Sequence, residues 1–199
     1  MQTPAVTPTP TFPATQAGSK LPDVRLYRRP DGGAGAPLPA RPADLLGHLS
    51  RARGATAGLV LPLAGMHPLA AFKGIDQAAE LLARQVQAAG HVLVVGDYDA
   101  DGATGSALAV RGLRALGAAR VSYLIPSRFA FGYGLSPAVV EAALPLCPDL
   151  ILTVDNGIAS VAGVARAAQA GIPVVVTDHH LAGAVLPDAA AIINPNQPG

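Results

Sequence analysis

Carboxylate and imidazole side chains collect in three short segments of the sequence, GDYDADGATG, VDNGI and VTDHH. Together these segments contain seven residues of metal-binding type: Asp97, Asp99, Asp101, Asp155, Asp178, His179 and His180. Mixed oxygen and nitrogen ligands suit Mn²⁺ or Mg²⁺, and the imidazoles leave Zn²⁺ open. Two such ions, about 3.5 to 4 Å apart, can activate a water and clamp a phosphate for in-line displacement. The residue types therefore predict a metal centre that hydrolyses phosphoesters.

Two other interpretations of these segments compete with the metal-dependent enzyme. An EF-hand calcium loop requires flanking helices and a bidentate Glu at loop position twelve. Counted from Asp97, that position is Leu108, and the preceding HVLVV is typical of a strand. The second alternative is helix capping, because Asp is favoured at helix N-termini. Capping explains one aspartate per turn, but it does not explain three aspartates in alternation or the paired histidines.

The glycine-rich run DGATGSA is a candidate contact for the phosphate of the substrate. Backbone N–H groups at the start of a helix bind anions, which makes Gly102 and Thr104 candidate substrate-binding residues. The run contains no GKS or GKT, so it is not a nucleotide-binding P-loop.

A second substrate-binding candidate is the segment 128–137, which holds Arg128, Phe129, Tyr133 and two glycines. An arginine can bind a phosphate and an aromatic ring can stack on a base, which are the two contacts that a single strand requires. A connecting loop with its aromatic rings packed inward is the alternative, and it stays open at this point.

The elements that must position these residues are short strands alternating with helices. The predicted strands cover residues 91–95, 120–125, 150–154, 172–176 and 190–193. They are nearly all apolar and rich in Val, Ile and Leu, as strands covered on both faces are. The predicted fold class is α/β, an open, mainly parallel sheet with helices on both faces. In such a sheet the ligand site lies beyond the carboxyl ends of the strands, where the three metal-binding segments follow.

Helical patterns fill the intervals between the strands. A helix before the first strand is predicted to begin with Asp76 as N-cap, to end at Gly90, and to bury Ala79, Leu82, Val86 and Ala89. Ser136 and Pro137 predict the N-cap and first turn of a later helix. An alanine-rich helix after the third strand is predicted to bury Ile158, Val161, Ala162, Ala165 and Ala168.

Composition limits the domain organisation and the location. With 199 residues, 50% of them hydrophobic, the chain can bury one main core. Nine of the 19 prolines precede Ala43, so residues 1–43 are predicted to be disordered or loosely attached and residues 44–199 to form the domain.

The single cysteine, Cys147, excludes an internal disulfide and a cysteine zinc cluster. The net charge of +1 is no electrostatic signature of a nucleic-acid binder. Without a membrane-span or signal-peptide pattern, the expected location is the cytoplasm, with no membrane partner.

In order and spacing, the three metal-binding segments resemble the first three motifs of the DHH phosphoesterase superfamily, named after its Asp-His-His signature. The resemblance implies that Asp99 and Asp101 are metal ligands, that Asp155 can bridge two ions, and that His179 binds metal. It also implies that His180 faces the substrate phosphate and that Asp178 orients its neighbours. The catalytic residues implied in this way are Asp99, Asp101, Asp155, His179 and His180.

The segments around the motifs, KGIDQAAELL, IPSRFAFGYGLSP and INPNQPG, are similar to one branch of this superfamily. That branch comprises bacterial enzymes that use Mn²⁺ or Mg²⁺ to degrade single-stranded DNA from its 5′ end in repair and recombination. The resemblance covers residues 61–199. It implies single-stranded DNA as the partner and leaves protein partners unknown.

The chain departs from the family pattern in two ways. Some relatives have a histidine four residues before the first of the paired aspartates, where this chain has Val95, so Asp97 is a further candidate ligand. The fourth motif and second domain of the family are not seen before Gly199, so the resemblance implies the N-terminal portion of a longer enzyme, with little activity alone. A DHH phosphodiesterase acting on cyclic dinucleotides, short oligonucleotides or pyrophosphate, and a non-catalytic metal-binding fragment, remain alternatives.

Overall fold

The computed structural model describes residues 66–197, together with Arg41, Asp44, Leu45, Gly47 and Leu49. The chain divides into two compact units, Met1–Pro62 and Leu63–Gly199. In the first unit, Arg41 and Asp44 form an exposed ion pair of 2.8 Å, and the described residues from Asp44 to Leu49 are helical. The predicted boundary at residues 43 and 44 stays a prediction, because nearly all of residues 1–43 lie outside the described residues.

A five-stranded parallel sheet forms the centre of the second unit. Its strands are β1 (His91–Gly96), β2 (Arg120–Leu124), β3 (Leu150–Val154), β4 (Val174–Thr177) and β5 (Ala191–Ile193). The order across the sheet is β2-β1-β3-β4-β5, and all four pairings are parallel. The predicted open parallel sheet is confirmed, with β4 beginning two residues later than expected.

Helices connect the strands. They are α1 (Ile75–Gln87), α2 (Ala100–Ala115), α3 (Arg128–Phe131), α4 (Pro137–Ala143) and α5 (Val161–Gln169), with 3₁₀ turns at Leu69–Ala71 and Leu144–Leu146. Among the described residues, no helix combines the length and the apolar character that crossing a membrane requires.

The core has one layer on each face of the sheet. Val92 and Val94 of β1 pack toward α1 and α2, whereas Leu93 and Val95 pack toward α4 and α5. All of β1 and β3 is buried, so neither strand shows the alternation of a half-exposed strand. The prediction of helices on both faces is therefore confirmed.

The N-cap and the buried face of α1 differ from the sequence expectations, whereas the N-cap of α4 agrees with them. The N-cap of α1 is Gly74, at φ 80°, rather than Asp76, and the face of α1 that packs on the core is Ala78, Leu81, Leu82 and Val86. The predicted Ser136 cap of α4 is confirmed, because its side chain accepts a hydrogen bond from the Val139 N–H.

The alanine-rich helix α5 buries a different face from the predicted one, although Ile158, which precedes the helix, is buried as predicted. Val164 and Ala167 are buried with Gly163, whereas the predicted Val161 is 40% exposed. A Cβ at Gly163 would lie 1.7 Å from the Leu135 carbonyl oxygen, so the glycine is where the backbones approach each other. On a helix with few large side chains, this close approach decides the buried face.

Candidate metal centre

Three aspartates extend the parallel sheet by one residue beyond its strands. The N–H of Asp97 donates to the Val154 carbonyl at 3.2 Å. The N–H of Asp155 donates to the Thr177 carbonyl at 3.0 Å, and that of Asp178 to the Ile193 carbonyl at 3.0 Å. Each backbone is therefore held by the neighbouring strand, and the three side chains follow the same edge of the sheet.

Asp155 lies at the centre of the site in a constrained conformation. It is buried and has φ 62°, which is uncommon for a residue with a side chain and marks a position held by its surroundings. Its Oδ1 lies 2.8 Å from His179 Nε2, while its Oδ2 is buried without a hydrogen-bond partner. Burial, together with Asp99 and Asp101, raises the pKa of Asp155 above the usual value.

Two groups of ligand atoms meet at Asp155. Among the described residues, one group consists of Asp97, Asp99 and Asp155, and the other of Asp155, His179 and His180, with ligand atoms within 4.8 Å of one another in each group. Asp101 belongs to neither group, but its Oδ2 lies 3.6 Å from His179 Nε2. A side chain that belongs to both clusters and has a buried, unpaired carboxylate oxygen fits a bridging ligand between two divalent ions.

The aspartates after β1 are balanced by an arginine. Asp97 is buried, and Arg128 binds both of its oxygens and also Asp99 Oδ2 at 3.0 Å. The hydrogen bond to Asp97 raises the pKa of the Arg128 guanidinium. This ion pair brings the predicted loop to the metal centre, where its first residues form α3.

Asp99 has a structural role as well. It is the N-cap of α2, and its Oδ1 accepts a hydrogen bond from the Gly102 N–H at 3.2 Å. Hydrogen bonding to the Asp101 side chain, then to the Gly102 N–H, and more weakly to Asp155 and Arg128, lowers the pKa of Asp99 to about 2. Asp99 thus does cap a helix, as the capping alternative predicts for one aspartate per turn, but capping does not account for the buried, unpaired oxygen of Asp155.

Asp178 organises the loop that carries both histidines. Its Oδ2 accepts from the Ile158 N–H at 2.9 Å, and its Oδ1 accepts from the backbone N–H groups of His179 and His180 at 2.7 and 3.1 Å. Burial raises the pKa of Asp178, but these donors outweigh burial and hold it below the usual value.

The same carboxylate determines the protonation of His180. Asp178 Oδ1 lies 2.7 Å from His180 Nδ1, and since a carboxylate can only accept, Nδ1 carries the proton. The hydrogen bond raises the pKa of His180. The other ring nitrogen, Nε2, lies 3.4 Å from the Tyr133 hydroxyl, which is outside the loop.

Tyr133 joins the loop after β2 to the histidines. Its hydroxyl donates to the Asp155 carbonyl at 3.2 Å and lies 3.0 Å from His180 Nδ1. Its ring lies 5.6 Å from the Arg128 guanidinium carbon. Burial, followed by the nearby carboxylates, raises the pKa of Tyr133. Phe129, in contrast, is fully exposed, so the aromatic side chains of this segment are not all packed inward.

The two predicted phosphate contacts at the start of α2 have partners within the helix. The Gly102 N–H is bonded to Asp99, and a Cβ at this position would lie 2.6 Å from the Asp97 carbonyl oxygen. The Thr104 hydroxyl donates to the Ala100 carbonyl at 2.7 Å. Both residues lie next to the metal centre, and their contact with substrate stays a prediction.

Three asparagines near the site have roles that the sequence patterns did not reveal. Asn156 Nδ2 donates to the carbonyls of Val95 and Val154, which joins the ends of β1 and β3. Asn194 and Asn196 donate to the carbonyls of the two histidines. Asn156 lies within the segment VDNGI, whereas Asn194 and Asn196 lie in INPNQPG, which contains no aspartate, glutamate, histidine or cysteine.

Comparison with known proteins yields one family. The DHH family, N-terminal domain, matches residues 91–199. The single-stranded-DNA-specific exonuclease RecJ of Salmonella typhimurium is 52% identical over 174 residues, which cover 86% of this chain and 30% of that protein. This chain therefore spans about a third of the length of that curated relative.

Two solved structures are similar to the chain. A crystal structure of exonuclease RecJ bound to manganese has a TM-score of 0.59 and 42% identity, covering 65% of this chain and 33% of that one. A structure of RecJ in complex with Mn²⁺ from Thermus thermophilus has a TM-score of 0.56 and 37% identity, covering 73% of this chain and 20% of that one.

Proposed function

Because the chain belongs to the DHH family, we propose that it is the metal-binding N-terminal portion of an exonuclease that degrades single-stranded DNA from 5′ to 3′. The reaction proposed is hydrolysis of a phosphodiester bond with Mn²⁺ or Mg²⁺. The similarity to RecJ, which is single-stranded-DNA-specific and was crystallised with manganese, supports this substrate and these ions.

The observation that carries the proposal is the shared position of Asp155. Its Oδ1 faces His179, and its Oδ2 is buried without a partner, in a side chain common to both ligand groups. An unpaired buried carboxylate oxygen is costly, so it calls for a cation that the protein side chains do not supply. Asp155 is therefore the proposed bridging ligand.

The remaining ligands are divided between the two ends of this bridge. We assign Asp97 and Asp99 to one ion and His179 to the other, with Asp101 beside His179. When bound, two divalent ions neutralise the phosphate and make a water nucleophilic. Arg128 binds both oxygens of Asp97 but only Oδ2 of Asp99, so Asp99 is the stronger candidate for this first position.

His180 is the proposed contact to the scissile phosphate. With Nδ1–H held by Asp178, a protonated His180 can donate from Nε2 to a phosphate oxygen. Its raised pKa favours that charged form. Tyr133 also restrains the ring, because its hydroxyl lies 3.0 Å from His180 Nδ1 and the two rings are in edge-on contact.

Arg128 and Tyr133 are the proposed grip on the DNA strand. The Arg128 side chain is about half exposed, and Tyr133 is 47% exposed. A phosphate can compete with Asp97 and Asp99 for the arginine, while the ring is accessible to a base. We propose DNA repair and recombination in the cytoplasm as the biological setting, on the basis of the family resemblance.

One experiment separates this function from related ones. The experiment uses the intact protein, by which we mean the complete enzyme of which this chain is the proposed N-terminal portion. It is incubated with Mn²⁺ and a 5′-labelled single strand, the matching duplex, a cyclic dinucleotide or pyrophosphate. We expect mononucleotides from the 5′ end of the single strand alone. Preferential cleavage of the cyclic dinucleotide or of pyrophosphate would contradict the proposed substrate, and no cleavage of any of them would contradict an enzymatic role.

A further inference from the structure

Two side-chain amides after β5 hold the loop that carries both histidines. Asn194 Nδ2 donates to the His180 carbonyl at 3.0 Å, and Asn196 Nδ2 donates to the His179 carbonyl at 2.5 Å. The two asparagines are coupled, because Asn194 Oδ1 accepts from the Asn196 N–H at 2.7 Å. They therefore form one unit, which we call the asparagine clamp.

The clamp completes the hydrogen bonding of both histidine backbones. Their two N–H groups donate to Asp178, and their two carbonyls accept from Asn194 and Asn196. All four backbone polar groups are thus bonded to side chains, although this loop belongs to no helix or strand. Rotation of either peptide plane breaks at least one of these bonds, so the directions of the two Cα–Cβ bonds are restrained.

The clamp itself is anchored in the sheet. Asn194 directly follows β5 and is buried, with 3% of its surface exposed. The strand before it accepts the Asp178 N–H at the Ile193 carbonyl. Asn196 is exposed, so it depends on Asn194 for its position. The positions of the histidine rings thus depend on the end of β5, 14 or more residues along the chain.

We propose that Asn194 and Asn196 are positioning residues of the metal centre. Asn196 directs His179 toward Asp155 and the ion, and Asn194 directs His180 toward the phosphate. This inference rests on the proposed function, since it assigns the two asparagines to two different steps of it. Loss of Asn196 weakens metal binding, whereas loss of the Asn194 donor weakens substrate binding.

Asn196 has a matched control in the next residue. Gln197 Nε2 also donates to backbone carbonyls, that of Ile192 at 2.8 Å and, at 3.5 Å, that of Asn194, but no hydrogen bond of the described residues joins it to a histidine. Asn196→Ala and Gln197→Ala each remove one uncharged side-chain donor from the same segment. A merely structural role for these amides predicts similar changes in both variants.

The first measurement is the affinity of the intact protein for Mn²⁺, followed by the signal of free Mn²⁺ in electron paramagnetic resonance. We expect Asn196→Ala to bind Mn²⁺ about tenfold more weakly, since residues that orient a ligand typically affect metal affinity by about 10- to 100-fold. Gln197→Ala should bind as the wild type does. Asn196→Gln, which keeps an amide donor on a longer side chain, should recover part of the loss.

The second measurement separates KM from metal affinity. Asn194→Asp keeps the oxygen that accepts the Asn196 N–H and removes the donor to the His180 carbonyl. We expect KM for single-stranded DNA to rise several-fold, with a smaller change in Mn²⁺ affinity than in Asn196→Ala. Thermal melting shows whether each variant folds. If Asn194→Asp does not fold, the Mn²⁺ affinities of Asn196→Ala and Gln197→Ala test the proposal without it.

The results distinguish this inference from the proposed function. Equal Mn²⁺ affinity of Asn196→Ala and Gln197→Ala, in a wild-type protein that binds Mn²⁺ and cleaves DNA, overturns the clamp and leaves the function intact. A wild-type protein that does not bind Mn²⁺ contradicts the proposed function, and the clamp with it.

Discussion

The two sides of the metal centre are held together by different forces. On the β1 side, Asp97, Asp99 and Asp101 lie near one another, and Arg128 balances the first two through ion pairs. On the β4 side, Asp178 is bonded to neutral backbone N–H groups and to one histidine ring, and its side chain is 1% exposed. The β1 side is organised by charge and the β4 side by backbone hydrogen bonding.

The two sides therefore differ in whether the fold alone or a bound cation stabilises them. The donors around Asp178 belong to the fold, so the β4 side is formed by the protein alone. The β1 side brings carboxylates together, and its Asp99 and Asp101 side chains are 46% and 68% exposed, so they respond to solvent and to cations. Asp155 belongs to the ligand groups of both sides, so a substitution at Asp155 affects both sides at once.

The largest effect is expected from Asp155→Asn in the intact protein. The change preserves the shape of the side chain but removes the charge that bridges the two ions. Mn²⁺-dependent cleavage should fall on the order of a thousandfold or more, because about 4 kcal/mol of transition-state stabilisation corresponds to about three powers of ten. Initial rates on a labelled single strand, measured across a Mn²⁺ series, test this prediction.

The same variant should not lose stability when metal is absent. The pKa of Asp155 is raised by burial and by its acidic neighbours, so the charged form opposes folding, and the neutral amide removes this unfavourable interaction. Melting curves with and without Mn²⁺ provide the comparison. Cleavage equal to that of the wild type would contradict the two-ion site.

Asp178→Asn should affect stability most. An amide offers one acceptor oxygen where the carboxylate offers two, so a buried N–H group is left facing an NH₂ group. We expect the free energy of unfolding to fall by about 2 to 4 kcal/mol, because hydrogen bonds to charged groups are strong and unpaired buried groups are costly. Urea denaturation measures the loss. A change below about 1 kcal/mol would mean that the β4 side is not organised by Asp178.

Arg128→Ala should weaken DNA binding by about 1 to 3 kcal/mol if both a phosphate contact and a stacking contact are disturbed. The slope of log K against log salt should decrease in magnitude by about 0.7, the value for one phosphate contact on a single strand. Mn²⁺ affinity should not fall, since a competing cation is removed from Asp99. Arg111→Ala, which removes the same charge near the C-terminal end of α2, is the control. Equal affinities of the two variants across the salt series would exclude a DNA contact by Arg128.

The smallest effect is expected from Glu141→Gln, which breaks an ion pair far from the carboxyl ends of the strands. Glu141 on α4 and Arg166 on α5 lie 2.6 Å apart, with the Glu141 side chain 56% exposed. Exposed pairs contribute about 1 kcal/mol or less, and salt screens them. Unfolding at low and high salt should show a small difference that disappears at high salt, with unchanged cleavage. A large loss here would show that charge pairing matters throughout the molecule and not only on the β1 side.

The parallel sheet and the edge that carries the site could be predicted from the sequence. Strands buried on both faces must be nearly all apolar, and the residues that follow them must lie at the carboxyl edge of the sheet. The positions of the three metal-binding segments, each directly after a predicted strand, therefore predicted that they lie close together. Asp155 and His179, from different segments, do form a contact at that edge.

The side-chain partners within the site could not be predicted in the same way. The aspartate that caps α2 is the residue directly before the first helical residue. Helix α2 begins at Ala100, so the cap is Asp99. Asp97 is bonded instead to Arg128, which lies 31 residues further along the chain. Such pairs follow from the packing of α3 against the sheet edge, and no local pattern specifies that packing.

The sequence by itself determined the strands, the longer helices, their order and the chemical character of the residues at the strand ends, because these depend on side-chain periodicity and on the geometry of parallel strands. The tertiary structure decided which α5 face is buried, where Gly163 meets the Leu135 backbone. It also decided that Asn194 and Asn196 bond to the histidine loop. Contacts of this kind are made between groups that are separate in the chain, so they exist only once the layers have packed.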